Sequence, residues 1–297
     1  MSKKLPKRGV SAYSYHGEYG VTMDLRDVFK DIRDLGEGMG LEILSNTHIE
    51  NYPNPTEEWL HAWDGMLKEF DLVPVEYGHW VDSRLFKGRE LSVAESVKML
   101  ERDFKLANRL GFRILRTKLG VIDDTLTPVT NWREFILEAL PLAERYDVRM
   151  CPELHSPTVL KSKMVDDYVE FIEKHRTKHF GLNVDFGVFQ TGDSALVGFG
   201  PNDFVGPPCE HSPVEDVVPL LPYVFCCHAK FMRMDEGFRE VVIPYDRIIQ
   251  TLSRHGWDGY MLSEYEGPHA DVPGYTSEQI KRQHVMMKRL LAAEEAR

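Results

Sequence analysis

Short runs rich in β-branched and apolar residues alternate with longer amphipathic runs from one end of the chain to the other. The apolar runs predict strands at Gly9–Ser14, Gly40–Leu44, Leu72–Tyr77, Phe112–Lys118, Val148–His155, Phe180–Asp185, Val224–His228 and Gly259–Glu264. Between them the period changes to that of a helix. The clearest case is Val93, Val97, Leu100, Phe104, Ala107 and Leu110, spaced by threes and fours, opened by a capping box of Ser92 and Glu95 and stopped by Gly111. Further helices are expected from about Met23 to Leu35, from a Thr56 cap to about Phe70, from Trp132 to Tyr146 and from Val165 to His175. Three more are expected towards the C-terminus. One is opened by Ser212-Pro213-Val214-Glu215 as cap, first-turn proline and capping-box glutamate; the others span Pro244–His255 and Ser277 to about Ala293.

Continuous β/α alternation requires a parallel sheet covered by helices. Eight units predict an α/β fold closed as a (β/α)8 TIM barrel, one domain over residues 1–297. An open doubly wound sheet is the rival, but no glycine-rich phosphate fingerprint follows the first strand. The alternation breaks at 186–212. Phe186 to His211 holds five Gly and three Pro with no clean period, as expected of a functional loop or lid.

A length of 297 residues suits such a barrel, which needs about 250. The formal net charge of −11 opposes nucleic-acid binding, which wants a basic footprint. No apolar run is long enough to span a membrane. The basic start, Met1 to Arg8, lacks the apolar run of a secretory signal. Cys151, Cys209, Cys226 and Cys227 form no C-x-x-C pair and read as small hydrophobes in a reducing cytoplasm.

The candidate chemistry follows from where the strands end. The last four finish on Glu153, Asp185, His228 and Glu264, and in a barrel those ends surround one mouth. Carboxylates so placed repel one another by about 4 kcal/mol per pair at 4 Å and an effective dielectric near 20. A divalent cation removes that cost. An oxygen-rich set with one imidazole suits Mn2+, with Mg2+ or Co2+ as alternatives. His155 falls on the same side of its strand as Glu153, as a base, a second ligand or a hydrogen-bonded loop histidine. Lys230 repeats that relation to His228, to hold a substrate oxygen or pair with a carboxylate. Arg116 and Lys118 end the fourth strand, as charge neutralisers or structural partners. His16, Tyr15, Tyr19, His48, His79, Trp80 and Phe189 are placed at the mouth, partly to stack on substrate. Of these groups, His16, Lys118, Lys230 and Trp80 are the expected substrate contacts.

At these residues the chain resembles the xylose isomerase-like TIM-barrel superfamily, whose Glu, Asp, His, Glu metal motif maps onto Glu153, Asp185, His228 and Glu264. A narrower resemblance is to the catalytic α subunit of bacterial C-glycoside deglycosidases. It is carried by Tyr52-Pro53-Asn54-Pro55-Thr56, Pro152-Glu153-Leu154-His155-Ser156-Pro157-Thr158, Ala229-Lys230-Phe231 and Ser263-Glu264-Tyr265-Glu266-Gly267. That resemblance implies a metal-dependent carbon–carbon lyase acting on 3-oxo-C-glycosides, a small β-rich partner subunit and an oligomer. His155, Glu153 or Glu264 would take a proton beside the carbonyl. A sugar isomerase, epimerase or inosose dehydratase would share that step. Ketose epimerases usually carry a histidine a few residues after the Asp, and Phe186-Gly187-Val188-Phe189 has none. A non-catalytic binding barrel is the rival of another class; it predicts ligand binding that survives Glu153→Gln.

Overall fold

The computed structural model describes residues 4–79, 89–117, 119, 127–191 and 211–297. Its strands are β1 (Lys7–Ser11), β2 (Gly40–Leu44), β3 (Val73–Gly78), β4 (Ile114–Arg116), β5 (Arg149–Cys151), β6 (Glu153–Leu154), β7 (Leu182–Asp185), β8 (Val224–Phe231) and β9 (Tyr260–Tyr265). They form one sheet in the order β5-β4-β3-β2-β1-β9-β8-β7-β6, with parallel pairing throughout. The two ends of that order are halves of one strand interrupted by Pro152, which has no N–H to donate. β5 pairs with β4 and β6 pairs with β7. Across the break, Gly181 N–H donates to the Met150 carbonyl at 2.9 Å and Asn183 N–H to that of Pro152 at 3.0 Å. The ring therefore closes, and nine segments make the eight staves expected of a TIM barrel.

The helices α1 (Leu25–Arg33), α2 (Ser45–His48), α3 (Glu57–Phe70), α4 (Val93–Arg109), α5 (Trp132–Tyr146), α6 (Lys163–His175), α7 (Tyr245–Arg254) and α8 (Tyr275–Glu295) occupy the connections. Local signals set several ends. Ser92 and Glu95 close the capping box of α4, and Thr56 accepts from Trp59 N–H at the start of α3. Asp24 and Asp27 form a capping box on α1 that the apolar pattern did not reveal. The main core lies between strands and helices, where Leu100, Phe104 and Ala107 of α4 are buried with Trp63, Tyr77 and Phe112. A separate apolar group of Val75, Ile114, Cys151, Cys226 and Leu262 fills part of the barrel interior. Cys151, Cys226 and Cys227 are buried free thiols.

Two expectations need correcting. Ser212 caps no helix; its hydroxyl accepts from Leu160 N–H at 2.8 Å. Val214–Tyr223 is instead a 3-10 segment containing Pro219 and Pro222, which remove the donors an α-helix would use. The aperiodic region also begins with structure, since Phe186–Phe189 forms a buried 3-10 turn. The rest of that loop, 192–210 with Cys209, lies outside the described residues, as do Trp80 and Lys118.

Candidate metal centre

Register brings the predicted residues together. Asp185 of β7 lies level with His228 of β8, and Lys230 level with Glu264 of β9. A one-residue slip between Leu182 and Asn183 sets that alignment. Ligand atoms of Glu153, Asp185, His228 and Glu264 all lie within 4.8 Å of one another. His228 Nδ1 is 2.8 Å from Glu153 Oε1 and 3.4 Å from Glu264 Oε1. Asp185 Oδ1 accepts from Gly187 N–H at 2.5 Å. A Cβ on Gly187 would stand 2.7 Å from that oxygen, so only glycine permits the approach.

Two cations balance part of the charge. Arg116 donates through Nε to Glu42 Oε1 at 3.1 Å and through a terminal nitrogen to Glu153 Oε2 at 2.6 Å. Lys230 Nζ is 3.0 Å from Asp185 Oδ2, 3.6 Å from Glu264 Oε2 and 3.0 Å from Glu266 Oε2. Burial opposes ionisation of Glu153, but Arg116 and His228 outweigh it and hold the carboxyl well below its usual range. Burial also opposes ionisation of Glu264, yet His228 and Lys230 bring it to about 2. Asp185 goes the other way: burial, with Glu264 and Glu153 nearby, pushes it well above normal despite Lys230. Burial would lower His228, but Glu264, Glu42 and Glu153 raise it well above its ordinary value.

The donor set fits a hard divalent cation. Five carboxyl groups (Glu42, Glu76, Glu153, Asp185 and Glu264) are buried or nearly so; Arg116 and Lys230 reach four of them and the His228 ring faces Glu76. Asp185 Oδ2 and Glu264 Oε2 are buried and accept no well-directed hydrogen bond among the described residues, because one ammonium is divided among three carboxylates. Oxygen donors with one imidazole nitrogen match the preference of Mn2+ and its neighbours.

The remaining predicted residues divide. His155 sits just past β6, half-buried, with Nδ1 2.7 Å from the Ser156 carbonyl. A carbonyl only accepts, so Nδ1 carries the hydrogen and Nε2 is the basic nitrogen. Lys230 is engaged by carboxylates rather than free for substrate. His16 is exposed and stacks on Tyr13, ring centroids 5.1 Å apart. Tyr15 does not line the mouth: it is buried, with its hydroxyl on Asp31 Oδ2 at 2.7 Å. Phe189 is likewise core, against Phe186. His48 accepts from Leu44 N–H at 3.0 Å, packs at a tilt against the Tyr19 ring and is lowered by burial to about 4. His79 lies 3.3 Å from Asp103 of α4, in the helix layer.

Sequence reasoning passed over Glu42, Glu76 and Asn183, which line the interior beneath the predicted four, and Tyr13 and Glu266 above them. A slip between Leu41 and Glu42 sets Glu42 opposite Glu76. Burial, with Glu266 and Glu264 close by, pushes Tyr13 up to about 12, so the phenol stays a donor. A cavity of about 720 Å³, lined by Lys7, Arg149, Phe225, Trp257 and Tyr260 among others, opens at the opposite, N-terminal end of the strands. None of the groups above lines it.

Residues 22–290 match the family model described as xylose isomerase-like TIM barrel. A C-glycoside deglycosidase alpha subunit from Arthrobacter globiformis is 24% identical over 97% of this chain and 92% of its own. A 3'-dehydrocarminate deglycosidase alpha subunit from a Microbacterium species is 24% identical over 98% and 97%. A solved L-ribulose 3-epimerase superposes with a TM-score of 0.67 at 12% identity, covering 98% of this chain and 96% of the other.

Proposed function

The chain belongs to the xylose isomerase-like TIM-barrel family, and from that premise we propose that it is a divalent-metal-dependent lyase that cleaves 3-oxo-C-glycosides as the catalytic subunit of a C-glycoside deglycosidase. Glu153, Asp185, His228 and Glu264 would hold the ion, Mn2+ by preference. When bound, the ion supplies positive charge opposite the sugar carbonyl, whose α-hydrogen is thereby acidified. The observation that carries the reading is the convergence of these four groups in a chain that aligns end to end with two deglycosidase alpha subunits.

The residues then have distinct tasks. His155, with Nδ1 committed to the Ser156 carbonyl, takes the C2 proton at Nε2. The released electron pair forms the C1–C2 double bond as the C1–aryl bond breaks. The aryl carbon keeps the departing pair and takes up a proton from the imidazolium of His155. Arg116 anchors one oxygen of Glu153 and leaves the other turned to His228. Tyr13 and His16, stacked beside the mouth, offer a donor and a flat surface to the glycoside. The word subunit in both relatives' names supports a partner chain. The free thiols support a cytoplasmic setting, and among the described residues no helix is long and apolar enough to cross a membrane.

The test is the metal-loaded protein, isolated with any chain that co-purifies, incubated with a 3-oxo-C-glycoside in D2O. Free aglycone that disappears on chelation is expected. Deuterium entering the sugar without aglycone would assign the site to the isomerase or epimerase class instead, and neither event would refute both.

A further inference from the structure

Below the four convergent groups the barrel interior holds a tier of polar side chains that an apolar barrel core would not need. Its centre is Glu76 of β3, fully buried. Asn183 Nδ2 donates to both of its oxygens at 3.1 Å. The thiols of Cys226 and Cys151 point at Oε1 from 3.2 and 3.6 Å. Oε2 is 3.0 Å from His228 Nε2. Asn183 is itself fixed, because its Oδ1 accepts from the backbone N–H of His228 at 3.1 Å.

Glu76 is thus ringed by donors, so it serves as an acceptor, and the nitrogen facing it must carry hydrogen. The other ring nitrogen, Nδ1, is turned to Glu153 and Glu264, toward which it donates until a cation takes that place. Resting on the metal-centre reading above, we propose that Glu76, seated among Asn183, Cys151 and Cys226, is the positioning residue of that centre: it keeps hydrogen on Nε2 of His228, fixes the ring plane and leaves the Nδ1 lone pair to the ion. The carboxylate–histidine–metal arrangement is a general device, and loss of the outer partner typically weakens metal binding about 10- to 100-fold. Glu42 Oε2, 3.2 Å from Nε2, flanks this contact but makes no well-directed hydrogen bond among the described residues, while its Oε1 is taken by Arg116. With both Glu76 oxygens already facing donors, the group is better described as a holder for Nε2–H than as a second ion site.

Two measurements test it. Chelator-stripped wild type and Glu76→Gln are titrated with Mn2+, following free ion by electron paramagnetic resonance. The variant should bind about 10- to 100-fold more weakly. Because the new amide would meet the Asn183 amide donor to donor and can impair folding, the second measurement uses unaltered protein. In the Mg2+-loaded form, long-range 1H–15N correlation of His228 should show hydrogen on Nε2 and none on Nδ1. Equal Mn2+ affinity in a folded variant, or hydrogen on Nδ1, overturns the assignment and leaves the metal centre standing. Wild type that binds no divalent ion overturns the metal centre and this inference with it.

Discussion

Replacing Arg116 by Met should unbalance the interior more than any change at the protein surface. Arg116 is 4% exposed, and its guanidinium contacts two carboxylates, buried Glu42 at 3.0 Å and nearly buried Glu153 at 2.6 Å. Met fills a similar volume and supplies no donor. Removing one partner of a buried ionic pair costs about 3–5 kcal/mol, because the stranded charge is not rehydrated. Two carboxylates are stranded here, so the upper part of that range is expected, and the thermal midpoint should fall by roughly 10 °C. Divalent ion at about 1,000 times its dissociation constant should return up to about 4 kcal/mol through binding to the folded form. Acidity gives a second check. Arg116 depresses Glu153, and a depressed carboxylate stabilises the fold above its unfolded value, about 4.3, and ceases to do so as pH falls through its folded value. The gap between wild type and variant should therefore be widest at neutral pH and close in acid. Urea unfolding of chelator-treated protein from neutral to acid pH measures both. A loss below about 1 kcal/mol, or a gap that does not narrow in acid, would contradict the charge arrangement.

Other expectations concern single groups. His155→Gln should lower kcat by about 10²- to 10⁴-fold in an aglycone-release assay, with metal content unchanged. Gly187→Ala should displace Asp185 and weaken metal binding in a calorimetric titration, since its Cβ meets Asp185 Oδ1 at 2.7 Å and Lys230 Cδ at 3.1 Å. Asp185→Asn should abolish the rise in thermal midpoint on adding Mn2+ while sparing the midpoint of the stripped protein, because burial already disfavours the charged form. Ser92→Ala should cost about 1 kcal/mol in chemical denaturation by removing the cap of α4.

Much of this architecture is visible in the chain because its cues are local. The Ser92–Glu95 capping box and the stripe through Leu100, Phe104 and Ala107 need no tertiary information. The ends of the last four staves were legible for a related reason: each apolar run closes on or beside a side chain able to bind a cation, whereas the slip that levels Asp185 with His228 was not. What stayed hidden depended on distance in sequence. Glu42 and Glu76 look like ordinary strand residues until their strands are known to be covered on both faces. The anomaly was readable in principle, since a charged residue inside an apolar parallel strand has no solvent to face and must have partners. Tyr15 was misplaced because nearness to a strand end does not say which way the 3-10 turn Ala12–Tyr15 that follows β1 swings its rings. The helix read at Ser212 failed because a local capping pattern was outweighed by Pro219 and Pro222 further along.

The most direct measurement is elemental analysis of protein purified without chelator, beside a Glu153→Gln, Asp185→Asn double variant. The account predicts about one Mn, Co or similar divalent ion per chain in the wild type and loss of that ion in the double variant, both remaining folded. No ion in the wild type after loading and desalting, or equal content in both proteins, would contradict the assignment of Glu153, Asp185, His228 and Glu264 as a metal centre.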